Sequence, residues 1–228
     1  MQKVLKLHKN LGETPLECLE RFRVLNPEYA NEKMTYAGRL DPMAEGLLIV
    51  LVGEECKKKD EYLGLDKEYI FEVLLGIKTD TYDILGLPFF AQAKDFNLEY
   101  FIGKHTQEYP PYSSKTIDGV PLFQKSKDGE EFESPTKEIE IYSLHKIKER
   151  EISASEALVE ISRRIKLVTG DFRQEEILKA WQKLLENSKD NFKIIEFKIN
   201  CSSGTYVRGV CNKMGGIAYS INRTKIFF

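Results

Sequence analysis

In the stretch YAGRLDPMAEGLLIV, residues 36–50, Asp41 stands between a small polar turn and a strongly apolar run. Arg39 lies two residues before it, and Pro42 follows directly. A carboxylate placed there reads two ways. Asp followed by Pro is a common opening of a helix, with the carboxylate capping the first turn. A carboxylate on such a turn could equally be a nucleophile. The local residues leave both open. Other chemistry finds less support. Cys18, Cys56, Cys201 and Cys211 include no C-x-x-C pair, and His8, His105 and His145 lie far from one another. No metal site or disulfide framework is expected, and the cysteines read as small buried hydrophobes or inert thiols.

The elements around Asp41 can be read from pattern. GETPLECLERFRVLN opens a helix, with Thr14 as cap, Pro15 at the first helical position and Glu17 completing a capping box. Leu16, Leu19, Phe22 and Leu25 then fall near one face. GLLIVLVG reads as a buried strand, and DKEYIFEVLLG as another with Tyr69, Phe71, Val73 and Leu75 on one face. TDTYDILG is turn-rich, and EYPPYSSKTIDG is a loop without regular period. EIEIYSLHKI is a strand candidate. GDFRQEEILKAWQKLLENS is the clearest helix, with a stripe of Ile177, Ala180, Trp181, Leu184 and Leu185. FKIIEFKINCSSGTYVRGVCNKMGG suggests a strand, a turn at 202–204 and a helix. Strands and helices mix without regular βαβ spacing, so the expected class is α+β.

The chain has 228 residues, 42% hydrophobic and 31% charged, with a formal net charge of −2. These proportions suit a soluble globular chain of one large domain or two small ones. The overall charge gives no sign of a nucleic-acid partner. Local balance is more informative. From residue 193 onward Lys193, Lys198, Arg208, Lys213, Arg223 and Lys225 face only Glu196, and CKKKD at 56–60 is a second basic cluster. Localised positive charge can contact phosphates, although a lysine cluster alone more often just solvates a surface. The longest apolar run, 46–53, is too short to span a bilayer, and the N-terminus lacks the apolar segment of a signal peptide. A cytoplasmic protein with no membrane partner is expected.

Read together, several stretches narrow the choice for Asp41. KNLGETPLE, GRLDPMAEGLL, EYIFEVLLGIKTDTYDILG, YPPYSSKTIDGVPLF, CSSGTYVRGVCNKMGG and INRTKIF occur in this order. The set resembles the TruB family of RNA pseudouridine synthases, from about Lys9 to Phe227. The proline after the aspartate, TDTxDxxG and GTYVR select TruB among related families. The resemblance implies the pseudouridine synthase catalytic fold, with a mixed, mostly antiparallel sheet flanked by helices. It implies that Asp41 is the catalytic aspartate, Arg208 its arginine partner and Tyr69 the tyrosine that contacts the uracil and handles protons. Tyr206 matches a second active-site tyrosine, Ile221 an apolar residue packing on the uracil, and Lys9 and Gly12 the KPxG turn. Tyr36, Arg39 and Lys9 are candidate substrate contacts. Asp80 and Asp83 are expected to shape a turn, without a catalytic part.

The chemistry suits these residue types. Pseudouridine formation breaks a C1′–N1 glycosidic bond, turns the base and rejoins it through C5, with no metal or redox cofactor. It needs a carboxylate acting on C1′ or C6, or as a base at C2′. Arg208 would orient Asp41 by a charge-assisted hydrogen bond. Tyr69 offers a stacking face and a hydroxyl. The base must be flipped from its stack at a cost of about a few kcal/mol.

Four departures from the family pattern stand out. Tyr36 occupies the place, five residues before Asp41, where the family usually has His. Asn10 replaces the proline of KPxG. Thr116 stands where a Lys is usual, with Lys115 adjacent. The chain ends at Phe228, where many family members continue into a PUA domain. The expectation is therefore a single catalytic domain over 1–228, without a PUA domain. It acts as a monomer on uridine 55 in the TψC stem-loop of tRNA, without a guide RNA or cofactor. The alternatives are a tRNA-folding chaperone with little catalysis and a synthase acting on another RNA.

Overall fold

A computed structural model describes residues 2–93 and 95–228. The first third of the chain contains β1 (Val4–Lys9), α1 (Pro15–Leu25), β2 (Met34–Ala37), β3 (Ala44–Val52), α2 (Lys59–Leu63) and β4 (Lys67–Leu75). The middle contains β5 (Ile77–Thr79), β6 (Pro88–Phe90), β7 (Gly103–Glu108), β8 (Thr116–Ile117), β9 (Val120–Pro121) and α3 (Leu122–Lys127). The last part contains β10 (Thr136–Ser153), α4 (Ala154–Ile165), α5 (Gln174–Leu185), β11 (Asn191–Cys201), α6 (Val207–Lys213) and β12 (Gly216–Ile226).

Eight strands form one sheet in the order β1-β3-β12-β4-β11-β10-β7, with β2 also joined to β3. β3 and β12 pair in parallel, and the other neighbours are antiparallel. The fold is thus α+β with a mixed, mostly antiparallel sheet, as the sequence leads one to expect. Ile49 pairs with Lys6 of β1 on one side and Ala37 of β2 on the other. β2 and β12 therefore share one edge of β3. The turn from β2 into β3, which carries Asp41, lies where the C-terminal strand joins the sheet.

Gly46 makes that junction possible. It has φ +106°, and a Cβ there would lie 2.4 Å from Asn222 Oδ1 and 2.5 Å from Arg223 O. A side chain would thus push β12 away from β3.

Two apolar layers clamp the sheet. On one face Tyr69, Phe71, Val73 and Leu75 of β4 meet Ile195, Phe197 and Ile199 of β11 and Val207, Val210, Cys211 and Met214 around α6. On the other, Leu74, Ile194, Ile217 and Tyr219 meet α4 and α5 through Ala157, Ile161, Ile177, Trp181 and Leu185. The alternation expected for β4 and the stripe expected for α5 are both present.

Some expectations change. Asp41 caps no helix. Its carbonyl accepts from Ala44 N at 3.0 Å, and the chain turns directly into β3. The α1 capping box forms, with Glu17 N donating to Thr14 Oγ1 at 3.2 Å. Its apolar stripe is narrower than expected: Leu19 is buried, but Leu16 and Leu25 are 58% and 69% exposed. β10 extends well beyond the ten-residue candidate. β7 covers only Thr136–Ile141, so the remainder presents an open edge and polar side chains that hide its period. β8 and β9 form a small hairpin around Asp118 and Gly119, both at positive φ, within the stretch read as a loop. The Asp-Gly pair was its signal.

Candidate active site

Asp41 lies at the end of a turn pinned from several sides. Gly12 N donates to Pro42 O at 2.9 Å. Lys9 Nζ donates to Asn10 O at 2.9 Å and to Ala44 O at 2.5 Å. Arg223 donates to Gly38 O at 2.9 Å and Leu47 O at 2.7 Å, bracketing the turn from β12. These bonds satisfy carbonyls that a tight turn leaves unpaired and fix where the carboxylate points.

Arg208 approaches from the first turn of α6. Its Nε donates to Asp41 Oδ2 at 2.8 Å, and its terminal nitrogens donate to Thr81 O at 2.6 Å and Tyr112 O at 3.2 Å. Asp83 Oδ2 is 3.7 Å from the same Nε. The guanidinium is thus buried with every side engaged. Burial works against its charge, but Asp41 and Asp83 together outweigh burial and hold its pKa above the ordinary arginine value. Asp83 is forced the other way. Burial pushes its carboxyl up to about 6, against the pull of Arg208. It also accepts from Thr81 Oγ1 at 2.8 Å and Leu85 N at 2.9 Å. Asp83 therefore shapes its turn, as expected, and in addition backs the Asp41–Arg208 pair, which sequence reasoning missed. Asp80 holds Leu87 N at 2.8 Å, a turn role.

Tyr69 and Tyr206, from two elements, lie close enough to Asp41 for its charge to help burial raise both phenols. Tyr69 is buried among Leu40, Ala44 and Ile221. Burial raises its phenol, while Arg223, directly opposite it in the β4–β12 register, draws it back down. Tyr206 caps α6, and burial raises its phenol, with the nearby Asp41 adding to that. Gln107 of β7 fixes its backbone, accepting from Tyr206 N at 2.8 Å and donating to Tyr206 O at 3.0 Å. The Tyr206 ring meets Tyr109 edge-on, and Lys115 stands 5.4 Å from the Tyr109 ring. Lys115 thus reaches the rim of the site beside Thr116. No local pattern marks Gln107 or Arg223 for these tasks. Gln107 reaches the start of α6 from β7, and the β4–β12 register sets Arg223 opposite Tyr69.

The remaining candidates are placed differently. Lys9 is fully buried with its ammonium turned onto carbonyls, and burial lowers its pKa to about 8. It shapes the turn rather than offering a free cation. Ile221 is packed between Ala44 and Phe71. Tyr36 and Arg39 join each other, Arg39 donating to Tyr36 Oη at 3.3 Å. The Tyr36 ring packs on the cluster of Leu5, Cys18, Leu48 and Val50. The basic C-terminal stretch forms no common face: Arg208 and Arg223 are buried, and Lys198 and Lys225 both pair with Glu68. In the second cluster Lys57 and Lys58 pair with Glu54 and Glu55.

The geometry is a carboxylate open to solvent, aimed by a buried guanidinium and flanked by phenols. Such a group can add to an electrophilic carbon or take a proton. Among the described residues no cluster of three or more His, Cys, Asp or Glu could hold a metal ion, and no helix is long and apolar enough to cross a membrane.

The sequence pattern of the TruB family pseudouridylate synthases (N terminal domain) matches residues 26–165, more than half of the chain. The chain belongs to the TruB family. Its relatives include the tRNA pseudouridine synthase B of Clostridium kluyveri, 28% identical over 222 residues, covering 94% of this chain and 62% of that protein. The tRNA pseudouridine synthase B of Borrelia garinii is 27% identical over 226 residues, covering 96% of this chain and 64% of that protein. The chain thus spans somewhat less than two thirds of the length of these curated relatives. Its fold is similar to a chain of the crystal structure of a Cbf5-Nop10-Gar1 complex, with TM-score 0.56 at 15% identity, covering 98% of this chain and 48% of that one. A chain of an H/ACA RNP bound to a substrate RNA containing 2′-deoxyuridine gives TM-score 0.53 at 14% identity, with coverage of 98% and 47%. In this TruB chain Asp41, Tyr69 and Asp83 lie inside the matched residues. Tyr206, Arg208 and Arg223 come from beyond them.

Proposed function

We propose that the protein isomerises uridine to pseudouridine in RNA, with uridine 55 in the TψC loop of tRNA as its target. Asp41 is the catalytic carboxylate, acting on a flipped-out base. The observation that carries this reading is the 2.8 Å contact from the buried Arg208 to the part-exposed Asp41. Family membership supports the reaction class, and relatives named tRNA pseudouridine synthase B support tRNA as the substrate class.

The reaction conserves atoms. The C1′–N1 bond breaks, the uracil turns, C5 bonds to C1′, a proton leaves C5 and N1 gains one. No electrons are exchanged with a cofactor. Asp41 either bonds to C1′ as N1 leaves, or to C6, that bond breaking again as C5 joins C1′, or takes the C2′ proton and later returns it to C2′; Arg208 holds it in line. Tyr69 contributes a ring to stack the base and a hydroxyl for the C5 proton, with Tyr206 on the opposite element. Residues 1–228 act as one catalytic domain, in the cytoplasm, as a monomer and without a guide RNA.

The test is to incubate the protein with unmodified elongator tRNA and map pseudouridine by carbodiimide modification and primer extension. Conversion is expected at one TψC-loop uridine, and none with Asp41→Asn. An active Asn variant would overturn the assigned chemistry. Tight tRNA binding without conversion would point instead to an RNA-folding chaperone.

A further inference from the structure

Arg208 is aimed by carbonyls from two separate loops, Thr81 O and Tyr112 O. One side chain grips both loops. Arg173 donates to Asp80 Oδ2 at 2.8 Å, next to Thr81, and its guanidinium carbon lies 4.4 Å from the centre of the Tyr112 ring. The Arg173 side chain is only 17% exposed. A planar guanidinium can bond a carboxylate along its edge and lie on an aromatic ring at once, which an ammonium does less well.

The backbone is arranged around this contact. Arg173 caps α5 at φ 63° and ψ 27°, the left-handed region that a long side chain rarely adopts. Its amide donates to Asp171 Oδ1 at 3.3 Å, and Asp171 in turn pairs with Lys127 of α3. Lower on the same helix, Trp181 Nε1 donates to Ile84 O at 3.0 Å, inside the turn that carries Asp80 and Asp83. Helix α5 is thus tied twice to the loop behind Arg208. Arg173 lies outside residues 26–165, the part matched by the family pattern.

We propose that Arg173 is a positioning residue. By clamping the Asp80 loop to the Tyr112 loop it sets the two carbonyls that aim Arg208 at Asp41. It acts through Arg208 and touches neither the carboxylate nor its reacting partner. In its effect on turnover the proposal rests on the isomerase reading above; in its effect on Arg208 it does not.

Arg173→Gly in the full chain removes the side chain and suits the left-handed backbone. On a tRNA transcript, kcat is expected to fall about tenfold or more with KM within about twofold, the pattern of a misaligned group rather than lost binding. In the RNA-free protein, the Arg208 Nε–H resonance is expected to shift and to exchange at least about fivefold faster by NMR. Arg173→Lys keeps a cation between Asp80 and Tyr112 and is expected to recover part of kcat. Arg173→Met, similar in length but uncharged, is not. An unchanged Arg208 resonance in the Gly variant, or equal recovery by Met and Lys, would overturn the proposal. If the Gly variant does not fold, the Lys and Met pair decides. If the wild type converts no uridine, the isomerase reading fails, while the Arg208 resonance still decides the clamp.

Discussion

Arg208 and Asp41 meet at 2.8 Å with side-chain exposures of 3% and 33%. The cation is sealed behind the carboxylate, and the carboxylate alone faces outward. The pair therefore has a direction, with a fixed charge inside and a part-exposed carboxylate outside.

Arg208→Lys replaces a fork that serves several acceptors with a single point charge. It is expected to lower kcat on tRNA by about a hundredfold or more, as loss of an aligned group does. Arg208→Met leaves the buried Asp83 without its cation, at a cost of about 3–5 kcal/mol at pH 7. That cost should shrink at pH 5, because a carboxyl already raised to about 6 then takes a proton. Urea unfolding at the two pH values measures the difference. An equal cost at both would mean that Asp83 is not the stranded charge.

Tyr69→Phe separates the ring from its hydroxyl. The ring lies in the core with Phe71 and Phe197, so the melting temperature should change little. Single-turnover conversion should slow by about 10²–10⁴-fold if the hydroxyl carries a proton. A rate within threefold of wild type would restrict Tyr69 to stacking.

Lys67 gives a pH signature. Its ammonium is buried, donates to the carbonyls of Leu63 and Leu65, and has a pKa lowered to about 8 by burial, with Arg223 adding to the effect. A folded pKa below the unfolded value means that the folded state holds fewer protons between about 8 and 10.5. The penalty is present at neutral pH and fades as pH rises through that window. Relative to wild type, Lys67→Met should therefore lose about 3 kcal/mol of advantage between pH 7 and pH 10.5. Chemical denaturation at both ends of the window checks it, and a constant difference would rule the titration out.

Tyr36→His restores the residue usual in the family. Tyr36 packs on the cluster of Leu5, Cys18, Leu48 and Val50, and among the described residues its hydroxyl meets only the exposed Arg39. The exchange is expected to change kcat by no more than about threefold, the range of a substitution away from buried networks. A tenfold gain in tRNA affinity would show instead that the position contacts RNA.

What the amino-acid sequence determined by itself was largely local. The apolar run behind Asp41, the alternation of β4, the α5 stripe and the Thr14–Glu17 box are set by neighbouring residues, so their periods and caps are legible. Helix α4 is equally legible, since Ser153 and Glu156 form a capping box before Ala157, Ile161 and Ile165. Motif order paired Asp41 with Arg208, a likeness of sequence rather than a geometric deduction. Tertiary structure decided the rest. The parallel joining of β12 to β3 set Arg223 against the Asp41 turn and opposite Tyr69. Folding of the 79–87 turn onto α6 made Asp83 a buried neighbour of Arg208. The C-terminal basic residues, alike in sequence, were divided between core and surface ion pairs. The reason is physical: burial and pairing depend on what lies across the sheet, and strand register between distant segments is invisible to a local pattern.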